Sequence, residues 1–256
     1  MAQSHEFWID PEEFMVAPGE PIAAHLRVGE AFSGGSNAYL PDRFRLFELA
    51  QDGVRMPVEG RMGDRPALSQ AVDDPGLVVA LHVTTDSRLI YNDFAKFEAF
   101  VRHKDAGWAV EAHRARGLPD TGFLEVYSRF AKSLIAVGDG AGADQEYGLE
   151  TEIVVLANPY SDALDGEIPV YLAYQGAPRP DAQIEVFERA PSGDVVISTV
   201  RTDANGRASI PVRAGHVYML DAVVLREPSA DALTATGTPP VWESLWANLT
   251  FAVPGS

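Results

Sequence analysis

A histidine five residues into the chain, followed directly by Glu6, is the pair with the plainest chemical use. Ala2-Gln3-Ser4 ahead of it has the small-x-small pattern that a signal peptidase accepts, which predicts cleavage after Ser4 and a mature chain starting at His5. A free α-amino nitrogen and the imidazole Nδ1 of one histidine can close a six-membered chelate ring on a metal ion, a geometry suited to nickel, cobalt and copper. Glu6 and His82 are possible additional donors, so His5, Glu6 and His82 form the candidate ligand set for a divalent transition metal, with nickel, cobalt, copper and zinc as candidates. The competing expectation is that His5 merely opens an edge strand whose Phe7 and Ile9 point into the core.

No other local pattern competes for a metal. His25, His82, His103, His113 and His216 form neither a His-x-His nor a His-x-x-x-His pair, and the chain has no cysteine, which removes zinc-thiolate sites, disulfides and thiol nucleophiles together. Asp203-Ala204-Asn205-Gly206 is too short to supply the oxygen ligands of a calcium loop and reads as a turn. A Gly-x-Ser-x-Gly elbow, a phosphate-binding P-loop, a dinucleotide fingerprint and a His-Glu-x-x-His motif are all missing, so the sequence points away from an enzyme. Trp242 and Trp246, four residues apart around Glu243, could stack on a sugar, although such residues more often close the end of a sandwich.

The net charge of −17 over 256 residues, with no long run of Lys or Arg, makes nucleic acid and anionic membrane surfaces poor partner candidates and favours cations, neutral molecules or basic protein faces. No apolar stretch approaches the roughly 18 residues that a transmembrane helix needs.

The elements that must position these residues read as strands. Gly and Pro punctuate the chain at short intervals, with Val, Ile, Phe and Tyr between them, the pattern of a β-sandwich. Strands are expected in HEFWID, PIAAHLRVG, RFRLFEL, LVVALHVTT and YSRFAKSLIAVG, the last with two mixed faces, Tyr127, Arg129, Ala131 and Ser133 against Ser128, Phe130, Lys132 and Leu134. A helical insert is expected at about 92–117: Asn92 caps a helix carrying Phe94, Phe97 and Val101, and a second helix runs from near Asp105 to Gly117. The glycine-rich GDGAGADQEYG suggests a boundary, giving an N-terminal sandwich over 1–143 and a C-terminal immunoglobulin-like sandwich over 144–256 with seven short strands. Asn205-Gly206 predicts a hairpin turn between Val200 and Ile210. The fold class expected is mainly β, two tandem immunoglobulin-like or prealbumin-like β-sandwich domains with a short helical insert in the first.

HEFWIDP, DFAKFEAFVRHKDAG, YSRFAKSLIAVG, TDANGRASI and WESLWANLTF occur in this order over nearly the whole chain. Together they resemble the bacterial periplasmic family of unknown-function domains that is described as the periplasmic component of cobalt and nickel uptake systems. The resemblance implies an exported, non-catalytic protein that binds a divalent transition metal and delivers it to a membrane transporter component. Members of that family begin, after the signal, with His, an acidic residue and Phe-Trp, matched here by His5, Glu6, Phe7 and Trp8. The alternative is a periplasmic or cell-surface adhesion or scaffolding module that binds protein or glycan without metal.

Overall fold

In the computed structural model, which describes residues 6–234 and 237–255, the chain is mainly β. The first half lays down β1 (Glu6–Pro11), β2 (Met15–Val16), β3 (Pro21–Glu30), β4 (Ser33–Asn37), β5 (Phe44–Gln51), β6 (Val54–Pro57), β7 (Leu68–Ala71), β8 (Gly76–Thr84) and β9 (Ser87–Tyr91). Helices α1 (Phe94–His103) and α2 (Trp108–Ala115) follow, then the long β10 (Phe123–Val137). The remainder comprises β11 (Thr151–Val155), β12 (Glu167–Tyr174), β13 (Ala177–Pro178), β14 (Gln183–Arg189), β15 (Val195–Arg201), β16 (Arg207–Pro211), β17 (Val217–Arg226), the short α3 (Ala230–Thr234) and β18 (Trp242–Ala252).

A ten-stranded sheet in the order β15-β14-β17-β18-β10-β8-β5-β6, with β2 and β9 also on β10, is covered on both faces. On one side lies the small sheet β1-β3-β4 with β7, whose Ile9, Ile22 and Leu26 pack on Leu49, Val78, Ala80 and Ile135 of the large sheet. On the other side lies β11-β12-β13 with β16, whose Ile153, Ile168 and Leu172 pack on Leu77, Val79 and Leu81 of β8 and on Leu220, Leu249 and Phe251. With both faces covered, β8, β10, β17 and β18 are buried almost along their whole length, and their polar residues are buried with the rest.

The expected boundary at 143/144 falls in the loop between β10 and β11, and the large sheet contains strands from both sides of it. β10 and β18 pair in parallel from Glu125↔Trp242 to Ser133↔Thr250. The boundary loop is itself anchored. Asp144 accepts the Lys132 ammonium at 2.8 Å and the Val155 amide at 2.9 Å, and Glu152 accepts Lys132 at 3.0 Å and the Tyr147 amide.

The helical insert forms as expected, with one correction. The N-cap of α1 is Asp93, whose side chain accepts the Ala95 amide at 3.0 Å, rather than Asn92. Phe97, Phe100 and Val101 face inward onto Trp242 and Trp246 of β18, and α2 stops just short of Gly117, which takes φ +65°. Both tryptophans are buried by this helical cap. Asn205-Gly206 does make a tight turn, with Gly206 at φ +73° and Asp203 Oδ1 accepting the Asn205 and Arg207 amides. The expected hairpin does not follow from it: β15 pairs with β14 and β16 with β12, so the turn carries the chain from one sheet to another.

Candidate functional site

Four strands of the large sheet place polar residues side by side beneath β1 and α1. Glu185 of β14 stands opposite Asp221 of β17, Asp221 opposite Asn248 of β18, and Asn248 opposite Ala131 of β10. One step along, Val223, Trp246 and Arg129 form the next row of the same face, because alternate residues of a strand share a face. Along β18 that face carries Trp242, Ser244, Trp246, Asn248 and Thr250, while Leu245, Ala247, Leu249 and Phe251 take the other. The polar row is roofed by β1, whose Ile9 carbonyl accepts the Thr250 hydroxyl at 2.7 Å.

Into this layer α1 delivers Lys104. Its amide still bonds back to the Phe100 carbonyl, and the chain then turns sharply through Asp105, at φ +59°, which leaves the side chain pointing inward. The Lys104 ammonium donates to Asp221 Oδ2 at 3.1 Å, to Glu6 Oε1 at 3.3 Å and to Glu185, and lies 5.0 Å from the centroid of the Trp246 ring. His103 Nε2, on a side chain more than half exposed, meets the other Glu185 oxygen at 2.6 Å. Lys104, Glu6, Glu185 and Asp221 are themselves buried.

The electrostatics follow from crowding three carboxylates around one ammonium. Burial, seconded by the Asp221 charge, pushes the Glu6 carboxyl up to about 7 against the pull of Lys104. Burial also works to lower Lys104, but Asp221, Glu185 and Glu6 outweigh it and hold the ammonium above its ordinary value. For Glu185 burial is overcome by the His103 hydrogen bond and by Lys104, so it stays ionised below the usual carboxylate range, and His103 is raised in return. Oxygen atoms of Glu6, Glu185 and Asp221 all lie within 4.8 Å of one another, close enough to share one cation, and in this structure the shared cation is Lys104. The three oxygens and the nearby His103 nitrogen fit a divalent ion by donor type, and such an ion would have to displace the ammonium.

Of the predicted ligand set, Glu6 and His82 are not brought together. His5 lies outside the described residues, while Glu6 and His82 lie on opposite sides of β1. Phe7, the next residue after Glu6, points to the other face and packs on His82 with ring centroids 5.1 Å apart. His82 is enclosed by Phe44 and Phe47 as well, its Nδ1 has no hydrogen-bond partner among the described residues, and burial holds the imidazole neutral with a pKa of about 3. His113 is a structural residue: Nδ1 accepts the Trp242 indole N–H at 3.0 Å and Nε2 donates to the Pro119 carbonyl at 3.0 Å.

Sequence reasoning missed Lys104, Glu185, Asp221 and Arg129. The available signal was an isolated charge inside an apolar strand, as in VYMLDAVVL, where Asp221 interrupts a run that no solvated face explains. Among the described residues, no helix is long and apolar enough to cross a membrane. No curated protein matches the chain. A family model described as "Domain of unknown function (DUF4198)" matches residues 2–226, and the chain belongs to that family.

Proposed function

For this member of the DUF4198 family, we propose an exported, non-catalytic role in the periplasm: binding a divalent transition metal of the nickel and cobalt class and delivering it to a membrane uptake system. The supporting observation is the gathering of Glu6, Glu185 and Asp221 from three separate strands around a single ammonium. With His103 at its rim, the cluster offers three oxygens and one nitrogen, and the imidazole nitrogen is the donor that favours nickel and cobalt over calcium, which takes oxygen ligands. His103, being more than half exposed, gives an ion a first ligand to meet before Lys104 swings aside. Because Glu6 carries a pKa of about 7, the full charge of the donor set develops only as pH rises through neutrality, and affinity should rise with it.

The test is a chelator-competition titration of Ni²⁺ and Co²⁺, with Ca²⁺ for comparison, on the wild type, Lys104→Ala and Asp221→Asn. Removing the competing ammonium should tighten Ni²⁺ binding about tenfold or more and let the metal raise the melting temperature of the variant, whereas Asp221→Asn should weaken binding by a similar factor. Identical affinities in all three proteins would refute this site. Loss of affinity in His5→Ala would add the amino-terminal histidine to the donor set.

A further inference from the structure

The large sheet has a break in its ladder beside Arg129. β10 pairs with β9 up to Tyr127↔Ser87 and with β8 from Leu134↔Val79 onward. Among the described residues no ladder pair fills the stretch between them on that side, and the Arg129 amide donates instead to the Thr84 hydroxyl at 3.0 Å. The opening leads to a cavity of about 380 Å³ between the small sheet and the large one, a size ordinary for a small-molecule site. A register shift in β5 between Phe44 and Leu46, where it pairs with β8, lies at the same place.

Arg129 lines this cavity with only 9 % of its surface exposed, and its Nε and Nη1 have no hydrogen-bond partner among the described residues. Its guanidinium rests 4.0 Å from the centroid of Trp246 and 5.1 Å from that of Tyr127, which fixes its position without neutralising it. The nearby carboxylates are committed elsewhere. Glu6 and Asp221 hold Lys104, and Glu125 accepts the Tyr91 hydroxyl at 2.8 Å and the Ser244 hydroxyl. Lys104 and Lys132, the two buried lysines, each have two or more carboxylate partners within 3.3 Å, so Arg129 is the exception that the fold leaves open. A buried guanidinium with no anion hydrogen-bonded to it is costly, and a bonded anion would offset that cost.

We propose that this cavity binds a small organic carboxylate, its anionic head on Arg129 and its apolar body against Phe7, Leu26 and Phe44. His82, held neutral by burial, lines the same space with its ring. A singly charged ligand is favoured over a phosphate, because the interior presents one unpaired cation in the field of Asp221, Glu6 and Glu125, and a second negative charge would meet repulsion there. Arg43, exposed at the rim of the cavity, steers an anion inward. This site is separate from the Lys104 cluster and does not depend on metal binding.

Calorimetric titration of the full chain with benzoate and hexanoate, against benzyl alcohol, 1-hexanol and inorganic sulfate, tests the assignment. At least one carboxylate should bind about tenfold or more tightly than its neutral isostere and than sulfate. Arg129→Gln should remove that preference. Leu40→Trp, which fills the mouth from an exposed position and leaves every polar group in place, should weaken carboxylate binding by a similar factor in a chain of unchanged circular dichroism. Sulfate binding as tight as the carboxylates, no carboxylate binding at millimolar concentration, or full binding in a folded Leu40→Trp protein would each overturn the proposal.

Discussion

Replacing Glu6 by Gln keeps the shape of the side chain and an oxygen that can accept from Lys104, and removes only the ability to titrate. In the wild type the carboxyl is 3 % exposed and its pKa stands at about 7 instead of the ordinary 4.5. A carboxyl with a raised folded pKa gives stability that is complete below 4.5 and is lost as pH climbs through 7, because the native state holds its proton more tightly than the unfolded chain does. At about 1.4 kcal/mol for each tenfold in proton affinity, the loss across that window is about 3 kcal/mol. Denaturant unfolding of both proteins at intervals from pH 4 to pH 8 gives the difference curve. Titrations common to both proteins, His82 among them, largely cancel in it. Wild type minus Glu6→Gln should fall by about 3 kcal/mol between pH 4.5 and 7 and level off beyond. A flat curve, or one that rises with pH, would show that attraction to Lys104 outweighs burial and that the account of this cluster is wrong.

Two further outcomes follow from the other buried charges. Lys132→Met leaves Asp144 and Glu152 buried without their cation, and chemical denaturation should show a loss of about 3–5 kcal/mol, with a loss below about 1 kcal/mol counting against the network. His82 is neutral in the fold with a pKa of about 3 but takes up a proton near 6.5 when unfolded, so its contribution is present above 6.5 and disappears as pH falls towards 3. In His82→Phe the acid limb of the stability curve between pH 6.5 and 3 should flatten by up to about 5 kcal/mol, and an unchanged limb would mean that His82 is hydrated in solution.

The strands are legible in the sequence because strand-forming residues sit between Gly and Pro breaks, and the helical insert because Phe94, Phe97 and Val101 recur at helical spacing. Strand partners are not legible. The parallel pairing of β10 with β18 joins segments more than a hundred residues apart, and nothing in the period of either strand names the other. The mixed faces of YSRFAKSLIAVG are plain as a pattern and have a cause visible only in the fold. Arg129 and Ser133 look into the polar layer of Ser244, Asn248 and Thr250, while Lys132 serves the Asp144 and Glu152 pair on the other face. The separation of Glu6 from His82 is within reach of elementary alternation, since a strand that sends Phe7 onto His82 must send Glu6 away from it.

The three buried cations show where sequence reading stops. Lys132 finds Asp144 and Glu152 within 12 and 20 residues, across the glycine-rich loop that follows its own strand, so a local reading could pair them. Lys104 finds Glu185, Glu6 and Asp221 at separations of 81, 98 and 117 residues, which only the stacking of α1 and β1 over the large sheet can close. Arg129 and Lys132 interrupt an apolar strand and Lys104 closes an amphipathic helix, and a charge buried in any of these places demands a partner. For Arg129 no residue among those described supplies one to Nε and Nη1. On the proposal above, an external carboxylate completes it, and the cavity at its side provides the room.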